Sequence, residues 1–395
     1  MLTSPQKTHG GRVAAFVLLI LPLAVYILVY LVPLGAIVSL SVDNRGLSDR
    51  FPALRAEFAL APDGTSDGRA AALLQDLAAL DTKAQGETAR MLNQELSGFR
   101  SLLLETARKA ETIAPTMDAL VAFDARWGDP AFWDVIERNI PALSLRHFQK
   151  VTGLKSGPDG TLTIAKGDDI YLQIMLRTLV IALQVTLLTL IIGYPLAYAV
   201  ANGSRRLSGF ILMVVLLSFW TSILVRTTAW VVLLQTNGLV NSLLLWLGVV
   251  AEPLQLIFNR FGTLVAMTHV LLPFAIIPMM NVMRTIPAAQ NQASRSLGAG
   301  GMETFLRVYF PQSLRGVVVG GGTVFILSLG FYVTPALVGG PSDQMLSYYI
   351  ADFVRKTLNW GMASALSVML LVGVLGLMAI YGATRWLLTR RKGDL

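Results

Sequence analysis

One arginine stands inside a long apolar stretch of the chain. Arg226 lies in the segment SILVRTTAW, where every other residue is uncharged. An arginine in the hydrocarbon core of a membrane is costly and by default indicates a functional site, so Arg226 could line a translocation pathway. A structural ion pair or a clamp on backbone carbonyls is the slightly favoured alternative. Aromatic residues of the apolar segments could stack on an ammonium group or serve only as packing and interface anchors; they are Trp220, Trp230, Phe331 and Tyr332.

The residue types that carry enzymatic chemistry do not occur in usable patterns. The chain has no cysteine, and its three histidines are too far apart in sequence to form a metal-ligand pair. It has no G-x-x-x-x-G-K-[ST] motif, and no Ser/His/Asp arrangement is supported. Gly298-x-Gly300-Gly301 follows a predicted helix rather than a strand, unlike a dinucleotide fingerprint. We therefore expect no catalytic site, metal or cofactor on this chain.

The composition is that of a multispan membrane protein. Hydrophobic residues make up 54% of the chain and charged residues 14%, and the mean hydropathy is +0.60. The net charge of +8 could suggest nucleic acid as a partner. Outside residues 42–169, however, the basic residues lie mainly beside apolar segments, which is the pattern of membrane topology signals. We expect contact with membrane lipid and none with nucleic acid.

Six apolar segments predict six transmembrane helices. The first runs from Val13 to Leu40, which is too long for a signal peptide and lacks its small-residue cleavage site. The predicted fold is an all-α membrane protein with a mainly helical periplasmic insert between the first and second helices. Its domains are 1–41 (cytoplasmic N-terminus and first helix), 42–170 (insert) and 171–395 (a five-helix core with helices at 171–201, 208–235, 262–284, 315–336 and 361–387).

The insert has a different composition from the rest of the chain, because it holds 19 of the 24 acidic residues. Leucines recur at helical spacing between Arg69 and Lys109, and Asp129-Pro130 marks the start of a helix that carries Phe132 and Trp133. Residues 157–164 are the one strong turn-and-strand signal. The insert is either a solvated cap that packs on itself, which we favour, or a docking surface with Trp127, Phe132 and Trp133 as anchors.

The basic residues also predict the orientation of the helices. If the N-terminus is cytoplasmic, the basic clusters after the second helix, around the loop before the fifth helix, and after the sixth helix all fall on the cytoplasmic side. The C-terminus is then cytoplasmic as well. The opposite connections, 236–261 and 337–360, are less basic. The clusters are Arg205 and Arg206; Arg284, Arg295, Arg307 and Arg315; and Arg385, Arg390, Arg391 and Lys392.

A polar loop at 286–316 lies between the fourth and fifth predicted helices. Ala288 to Leu297 predicts a short helix, which Gly298 and the following glycines end. A second short helix is expected from Met302 to Phe310, ended by Pro311. Its apolar stripe consists of Met302, Phe305, Leu306 and Tyr309.

This loop resembles the EAA loop of bacterial ABC-importer permeases, which is written E-A-A-x-x-x-G with an apolar run that ends in L-P. The corresponding positions here are Gln292, Ala293, Ser294, Gly298, Phe305, Val308, Phe310 and Pro311. Glutamine, serine and phenylalanine replace the glutamate, the second alanine and the leucine of that pattern. Four further stretches are similar to the spermidine/putrescine-type branch: 219–230, 237–248, 258–274 and 329–341.

The resemblance implies a permease subunit of an ATP-driven importer in the bacterial inner membrane. Its implied partners are a second permease, two ATPase subunits that hold ATP and Mg, and a periplasmic substrate-binding protein. The implied solute is a polyamine or a similar amine-bearing compound. In this interpretation the loop inserts into a groove of the ATPase, and the alternative is an ordinary cytoplasmic loop. The coupling residues would be Gln292, Ala293, Ser294, Gly298, Ala299, Met302, Phe305, Leu306, Val308, Tyr309 and Pro311.

Two other classes of membrane protein fit the sequence less well than a permease. An ion-coupled secondary transporter would need paired intramembrane acids or an inverted repeat, and the sequence shows neither. A membrane sensory receptor with a periplasmic helical domain would begin with a similar helix and insert. Such a receptor is disfavoured because the sequence has four further apolar helices and shows no cytoplasmic signalling domain.

Overall fold

The computed structural model describes residues 9–60, 66–156, 162–164 and 169–393. Within them, six helices are long and apolar enough to cross a membrane, which confirms the predicted number. The turn predicted at 157–161 lies outside the described residues. The chain forms two compact units, 1–168 with 353–395 (the first unit) and 169–352 (the second unit). The spans are Leu18–Val42, Ile170–Asn202, Ile223–Trp246, Arg260–Arg284, Gly301–Gly330 and Trp360–Thr384.

The first span is continuous through a wide turn. It consists of α1 (His9–Tyr26), a π-helical turn (Ile27–Leu31) and α2 (Val32–Val42). Pro33 explains the wide turn, since proline has no N–H and its ring collides with the carbonyl four residues earlier. In the π turn the Val32 N–H donates to the Ile27 carbonyl, which lets the helix pass the proline without breaking.

Short helices make up most of the insert, with one antiparallel hairpin in which Lys155 pairs with Thr163. A 3₁₀ turn spans Ala125–Gly128. The elements are α3 (Arg45–Ser48), α4 (Pro52–Leu60), α5 (Ser66–Ala79), α6 (Thr82–Asn93), α7 (Phe99–Arg108), α8 (Met117–Phe123), α9 (Pro130–Asn139), α10 (Arg146–Thr152), β1 (Leu154–Ser156) and β2 (Leu162–Ile164).

The aromatic residues of the insert form its core rather than its surface. Trp127 is fully buried and donates its indole N–H to the Thr106 hydroxyl over 3.0 Å. The Trp133 indole N–H donates to the Trp127 carbonyl over 2.8 Å, and the Phe99 and Phe132 rings lie 4.8 Å apart. The three aromatics that the sequence offered as docking anchors therefore stabilise the insert itself.

The second unit contains ten helices among its described residues, which are residues 169–352. Three long helices, α11, α15 and α18, pack against one another at its centre. A π-helical turn (Phe305–Tyr309) joins α17 to α18, and a 3₁₀ turn spans Pro341–Asp343. The helices are α11 (Ile170–Asn202), α12 (Arg205–Trp220), α13 (Ile223–Leu234), α14 (Leu239–Trp246), α15 (Arg260–Arg284), α16 (Ala288–Ser296), α17 (Gly301–Thr304), α18 (Phe310–Gly330), α19 (Val333–Val338) and α20 (Leu346–Asp352).

Glycines let two of these central helices approach closely. A Cβ on Gly320 would lie 2.9 Å from the Ala275 carbonyl oxygen, and one on Gly316 would lie 3.1 Å from the Met279 Cα. A side chain at Gly320 would therefore collide with backbone, and one at Gly316 would be tightly crowded. Gly322 on the same helix differs, because a Cβ there would meet nothing within 4 Å.

Two segments that the sequence predicts as unbroken helices are interrupted. The predicted helix 208–235 is α12 and α13, separated at Thr221 and Ser222, and the Ser222 hydroxyl accepts the Leu224 N–H over 3.3 Å. The predicted helix 315–336 breaks between α18 and α19, at Phe331 and Tyr332. The Ser347 hydroxyl donates to the freed Phe331 carbonyl over 2.6 Å. Hydroxyl side chains thus satisfy backbone groups that the breaks expose.

The last helix belongs to the first unit. After a π-helical turn (Phe353–Thr357), α21 (Trp360–Gly393) packs along α2 and against α10 of the insert. His147 of α10 is buried so closely against Gly361 that a Cβ at that glycine would collide with the imidazole. The sequence assigned this helix to the core of 171–395, whereas the structure groups it with the first span and the insert.

Candidate functional site

The loop that resembles an EAA motif folds as a glycine elbow, which we define as residues 294–304. Helix α16 ends in a Schellman motif. The Gly298 N–H donates to the Arg295 carbonyl over 3.0 Å, and the Ala299 N–H donates to the Ser294 carbonyl over 3.2 Å. Gly298 has a φ of +91°, which L-residues with a side chain rarely adopt. The elbow is therefore pre-formed by bonds within the loop.

A second contact fixes the angle between the two arms of the elbow. The Ser294 hydroxyl on α16 lies 3.1 Å from the hydroxyl of Thr304, the last residue of α17. Thr304 is buried although the loop around it is exposed. Ser294, which stands where the motif has alanine, thus has a defined structural contact.

The second short helix of the prediction does not exist as a separate element, and Pro311 does not end it. The chain is helical from Gly301 to Gly330, because the π turn at Phe305–Tyr309 accommodates the proline. The Phe310 N–H donates to the Phe305 carbonyl, and the carbonyl that would collide with the Pro311 ring is moved aside. A shift at the elbow is therefore transmitted to a membrane span without an intervening loop.

The predicted apolar stripe divides into two faces. Phe305 and Tyr309 point inward, where the Tyr198 ring lies 5.7 Å and 5.2 Å from their respective rings. The Asn202 side-chain amide donates to the Tyr309 hydroxyl over 2.6 Å. These two aromatics are part of the hydrophobic core of the second unit. They attach the elbow to α11 rather than offering it an outer surface.

The outer face of the elbow consists of three exposed apolar side chains. Leu297 is 89% exposed, Met302 71% and Leu306 54%. Sequence inspection missed Leu297, although its position next to the elbow glycine could have indicated it. Of the other predicted coupling residues, Gln292, Ala293 and Pro311 are exposed, and Ala299 and Val308 are half-buried.

Arg226 meets a backbone carbonyl at membrane depth. Its Nη1 donates to the Val270 carbonyl of α15 over 3.4 Å, which is a weak bond. The ion pairs found among the described residues do not include Arg226, and its buried Nε has no hydrogen-bond partner there. The carbonyl contact agrees with the clamp alternative, but it leaves part of the guanidinium unsatisfied.

The residues predicted to line a pathway fall into separate groups. Trp230 lies one turn after Arg226, and its indole N–H donates to Nδ1 of His269 over 3.2 Å. Phe331 and Tyr332 are half-buried at the second helix break, while Trp220 is 85% exposed at the end of α12. His269, which the sequence dismissed because no other histidine is near, belongs to the Arg226 group through Trp230. A hydroxyl pair, Thr227 and Thr334 at 3.1 Å, joins the two interrupted spans.

An ion pair links Arg260, in the stretch 258–274, to Asp343, which lies two residues after the stretch 329–341. Nε of Arg260 lies 2.5 Å from Oδ1 of Asp343, whose side chain is buried. Glycines around this pair have no room for a side chain. A Cβ on Gly340 would lie 2.6 Å from the Phe258 carbonyl oxygen, and one on Gly262 would lie 2.8 Å from that of Leu256. This packing explains why glycine occurs both in FNRFG (258–262) and in VGGP (338–341).

A family described as "binding-protein-dependent transport system inner membrane component" matches residues 173–390. The chain belongs to this family. The spermidine/putrescine transport system permease protein PotB of Salmonella typhimurium is 30% identical over 229 residues, which cover 58% of this chain and 79% of that protein. The molybdenum transport system permease protein ModB of Azotobacter vinelandii is 27% identical over 213 residues, covering 53% and 92%.

Among solved structures, the chain is similar to a bacterial ABC transporter involved in the import of the acidic polysaccharide alginate. The alignment has a TM-score of 0.41 and 18% identity, and it covers 53% of this chain and 79% of that chain. Family membership makes this permease a multi-pass inner-membrane subunit of an ABC importer for a small solute, and a transport component rather than an enzyme. It acts with a partner permease, an ATPase and a binding protein.

Proposed function

We propose that this permease pairs with one second permease and two ATPase subunits, and that the glycine elbow is the surface by which it responds to ATP. The observation that carries this proposal is the outer face of the elbow, where Leu297, Met302 and Leu306 are exposed together on a pre-formed support. Apolar side chains on a short helical projection suit insertion into a groove of a partner. The pre-formed Schellman motif lowers the entropy that such binding costs.

The elbow also offers its backbone to a partner. A Cβ on Gly298, Gly300 or Gly301 would meet nothing within 4 Å, so the space beside these glycines is open. An ATPase groove can then approach the main chain as well as the three apolar side chains. Movement of the groove would act on α18 directly, since Gly301–Gly330 is one continuous helix. ATP and Mg would be held by the ATPase.

The solute we propose is a polyamine or a similar amine-bearing compound. The support for it is the resemblance to the spermidine/putrescine transport system permease protein, which is 30% identical over 229 residues. Trp230, Phe331 and Tyr332 are the aromatic groups that could contact an ammonium by cation–π interaction. Arg226 repels a cation, so its role in this proposal is to hold the Val270 carbonyl.

We propose further that the N- and C-termini are cytoplasmic, which places the elbow on the ATPase side and the insert in the periplasm. The arrangement of basic clusters supports this orientation. A reporter enzyme fused after Arg206 should be active only as a cytoplasmic reporter, and one fused after Thr112 only as a periplasmic reporter. The reverse result at either position would contradict the orientation.

The experiment for the proposed assembly is co-purification followed by transport. The tagged permease, expressed with its partner subunits, should co-purify with one copy of a second permease and two copies of the ATPase per importer. Reconstituted with a binding protein, the complex should take up radiolabelled putrescine or spermidine in an ATP-dependent manner. An intact complex that hydrolyses ATP but takes up neither polyamine would refute the solute and leave the assembly standing.

A further inference from the structure

The insert exposes two large apolar side chains, and both lie at the same end of it. Among the residues between 43 and 154 whose exposure the structure describes, Leu143 is 70% exposed and Leu145 is 63% exposed, while the other large apolar side chains are buried or half-buried. A solvated cap of this size would normally scatter several such residues over its surface. Two leucines confined to one short segment indicate a local apolar partner.

The backbone fixes the height of Leu143 relative to the membrane. The segment pairs with the end of the first span: the Asn44 N–H donates to the Ala142 carbonyl, and the Ser144 N–H donates to the Val42 carbonyl, both over 2.9 Å. This makes Leu143 the direct bridge partner of Asp43. Because the span Leu18–Val42 ends one residue earlier, Leu143 lies at the boundary between hydrocarbon and headgroups.

Exposure alternates along this segment. Pro141, Leu143 and Leu145 are exposed, whereas Ala142 and Ser144 between them are half-buried. The segment is also held firmly, since the Asn44 side-chain amide donates to the carbonyls of Asn139 and Pro141. A rigid, two-leucine edge is therefore presented outward at the membrane boundary.

The other neighbour of this segment is the start of the last span. Leu145 immediately precedes α10, and His147 of α10 is packed on Gly361 near the beginning of α21. Trp360 at this point is exposed, as is typical of a tryptophan at the level of the headgroups. The end of α2 and the start of α21 thus both place this segment at the membrane boundary.

We propose that residues 141–145 form a membrane anchor of the insert, with Leu143 and Leu145 immersed in the lipid leaflet nearest to it. The occupant of this apolar edge is lipid rather than protein, because the edge continues the lipid-exposed surface of the first span, where Leu40 is also exposed. The anchor would hold the insert against the membrane surface beside α2 and α21. It does not depend on which solute is carried.

A single-cysteine label tests the anchor cleanly, since the chain has no native cysteine. Leu143→Cys and Leu145→Cys would each be labelled with the polarity-sensitive dye NBD, and the importer reconstituted in phosphatidylethanolamine and phosphatidylglycerol vesicles. Both labels should emit at shorter wavelength than in water and should be quenched by lipids that carry a headgroup nitroxide. Glu111→Cys, an exposed position in the same insert, is the control and should remain water-like and unquenched.

Two results would overturn the proposal. One is water-like emission without quenching at both leucine positions. The other is emission that shifts only after the binding protein is added, which would make the edge a protein-docking surface. The two leucines are largely exposed, so neither substitution removes a core contact, and unchanged thermal unfolding of each labelled variant establishes that the fold is intact.

Discussion

Leu297→Ala should separate ATPase binding from folding. Leu297 is 89% exposed in the permease alone, so its truncation should change the free energy of unfolding by less than about 0.5 kcal/mol. If the elbow inserts into an ATPase groove, the same side chain becomes buried. Full burial of a leucine is worth about 1.5–3 kcal/mol, and alanine retains only a small part of that. We expect the ATPase to bind roughly 10- to 30-fold more weakly, at about 1.4 kcal/mol for each tenfold change.

The measurement is the dissociation constant of the purified ATPase subunit for the permease pair in nanodiscs. Leu239→Ala is the matched control, because Leu239 is 68% exposed but lies in a different element, within the span Ile223–Trp246. It should leave ATPase affinity unchanged. An affinity for Leu297→Ala within about twofold of the original protein would refute the insertion of this face, since at least 1 kcal/mol of burial would be missing.

Phe305 provides a contrast within the same loop. Its ring packs among Tyr194, Tyr198 and Phe310, so Phe305→Ala should lower stability by about 3 kcal/mol or somewhat less for a half-buried ring. Thermal unfolding should detect that loss, whereas Leu297→Ala should show none. If both variants lost stability equally, the division of the apolar stripe into an inner and an outer face would be wrong.

Two further predictions concern buried charged groups. Burial, together with the neighbouring Arg146, lowers the pKa of His147 to about 3, so between that value and the ordinary pKa of 6.5 the unfolded chain binds a proton that the folded chain does not. The contribution of His147 to stability is complete above about pH 6.5, and the free energy of unfolding should fall by up to about 1.4 kcal/mol per pH unit below it. His147→Gln should flatten this slope in thermal unfolding measured from pH 7.5 to 5.5. Asp343→Ala should lower the free energy of unfolding by about 3 kcal/mol, because it leaves Arg260 beside an emptied, buried site. Adding Arg260→Met to this variant should recover much of the lost stability. If the stability losses of the two substitutions were additive in this double-mutant cycle, the two residues would not be a coupled pair.

Some features of this permease follow from local sequence and were predicted correctly. The number of spans depends on the length of apolar segments, which is a property of composition within about 20 residues. The end of α16 depends on Gly298, since the Schellman bonds connect residues only three to five apart. The family was also evident from sequence, because the motif Gln292 to Gly298 and the apolar stretches after it occur in order.

The helix interruptions were harder to predict, because the competing signals are weak. Thr221 and Ser222 are compatible with a helix, and so are Phe331 and Tyr332, so hydropathy alone joined each pair of helices. The breaks persist because hydroxyl side chains satisfy the freed backbone groups, and one of these, Ser347, is 16 residues away from the carbonyl that it bonds. Conversely, Pro311 indicated a break that a π turn avoids.

Sequence by itself therefore determined the class of protein, the number of spans, the glycine elbow and the family, since each depends on residues close together along the chain. Tertiary structure alone decided which face of each element is covered. Phe305 and Leu306 are adjacent in a single helix, yet one packs against Tyr198 and the other is exposed, because only the first faces α11. The exposure of Leu143 has the same origin: its bridge to Asp43 joins residues 100 positions apart, and no local pattern could have placed it at the end of a membrane span.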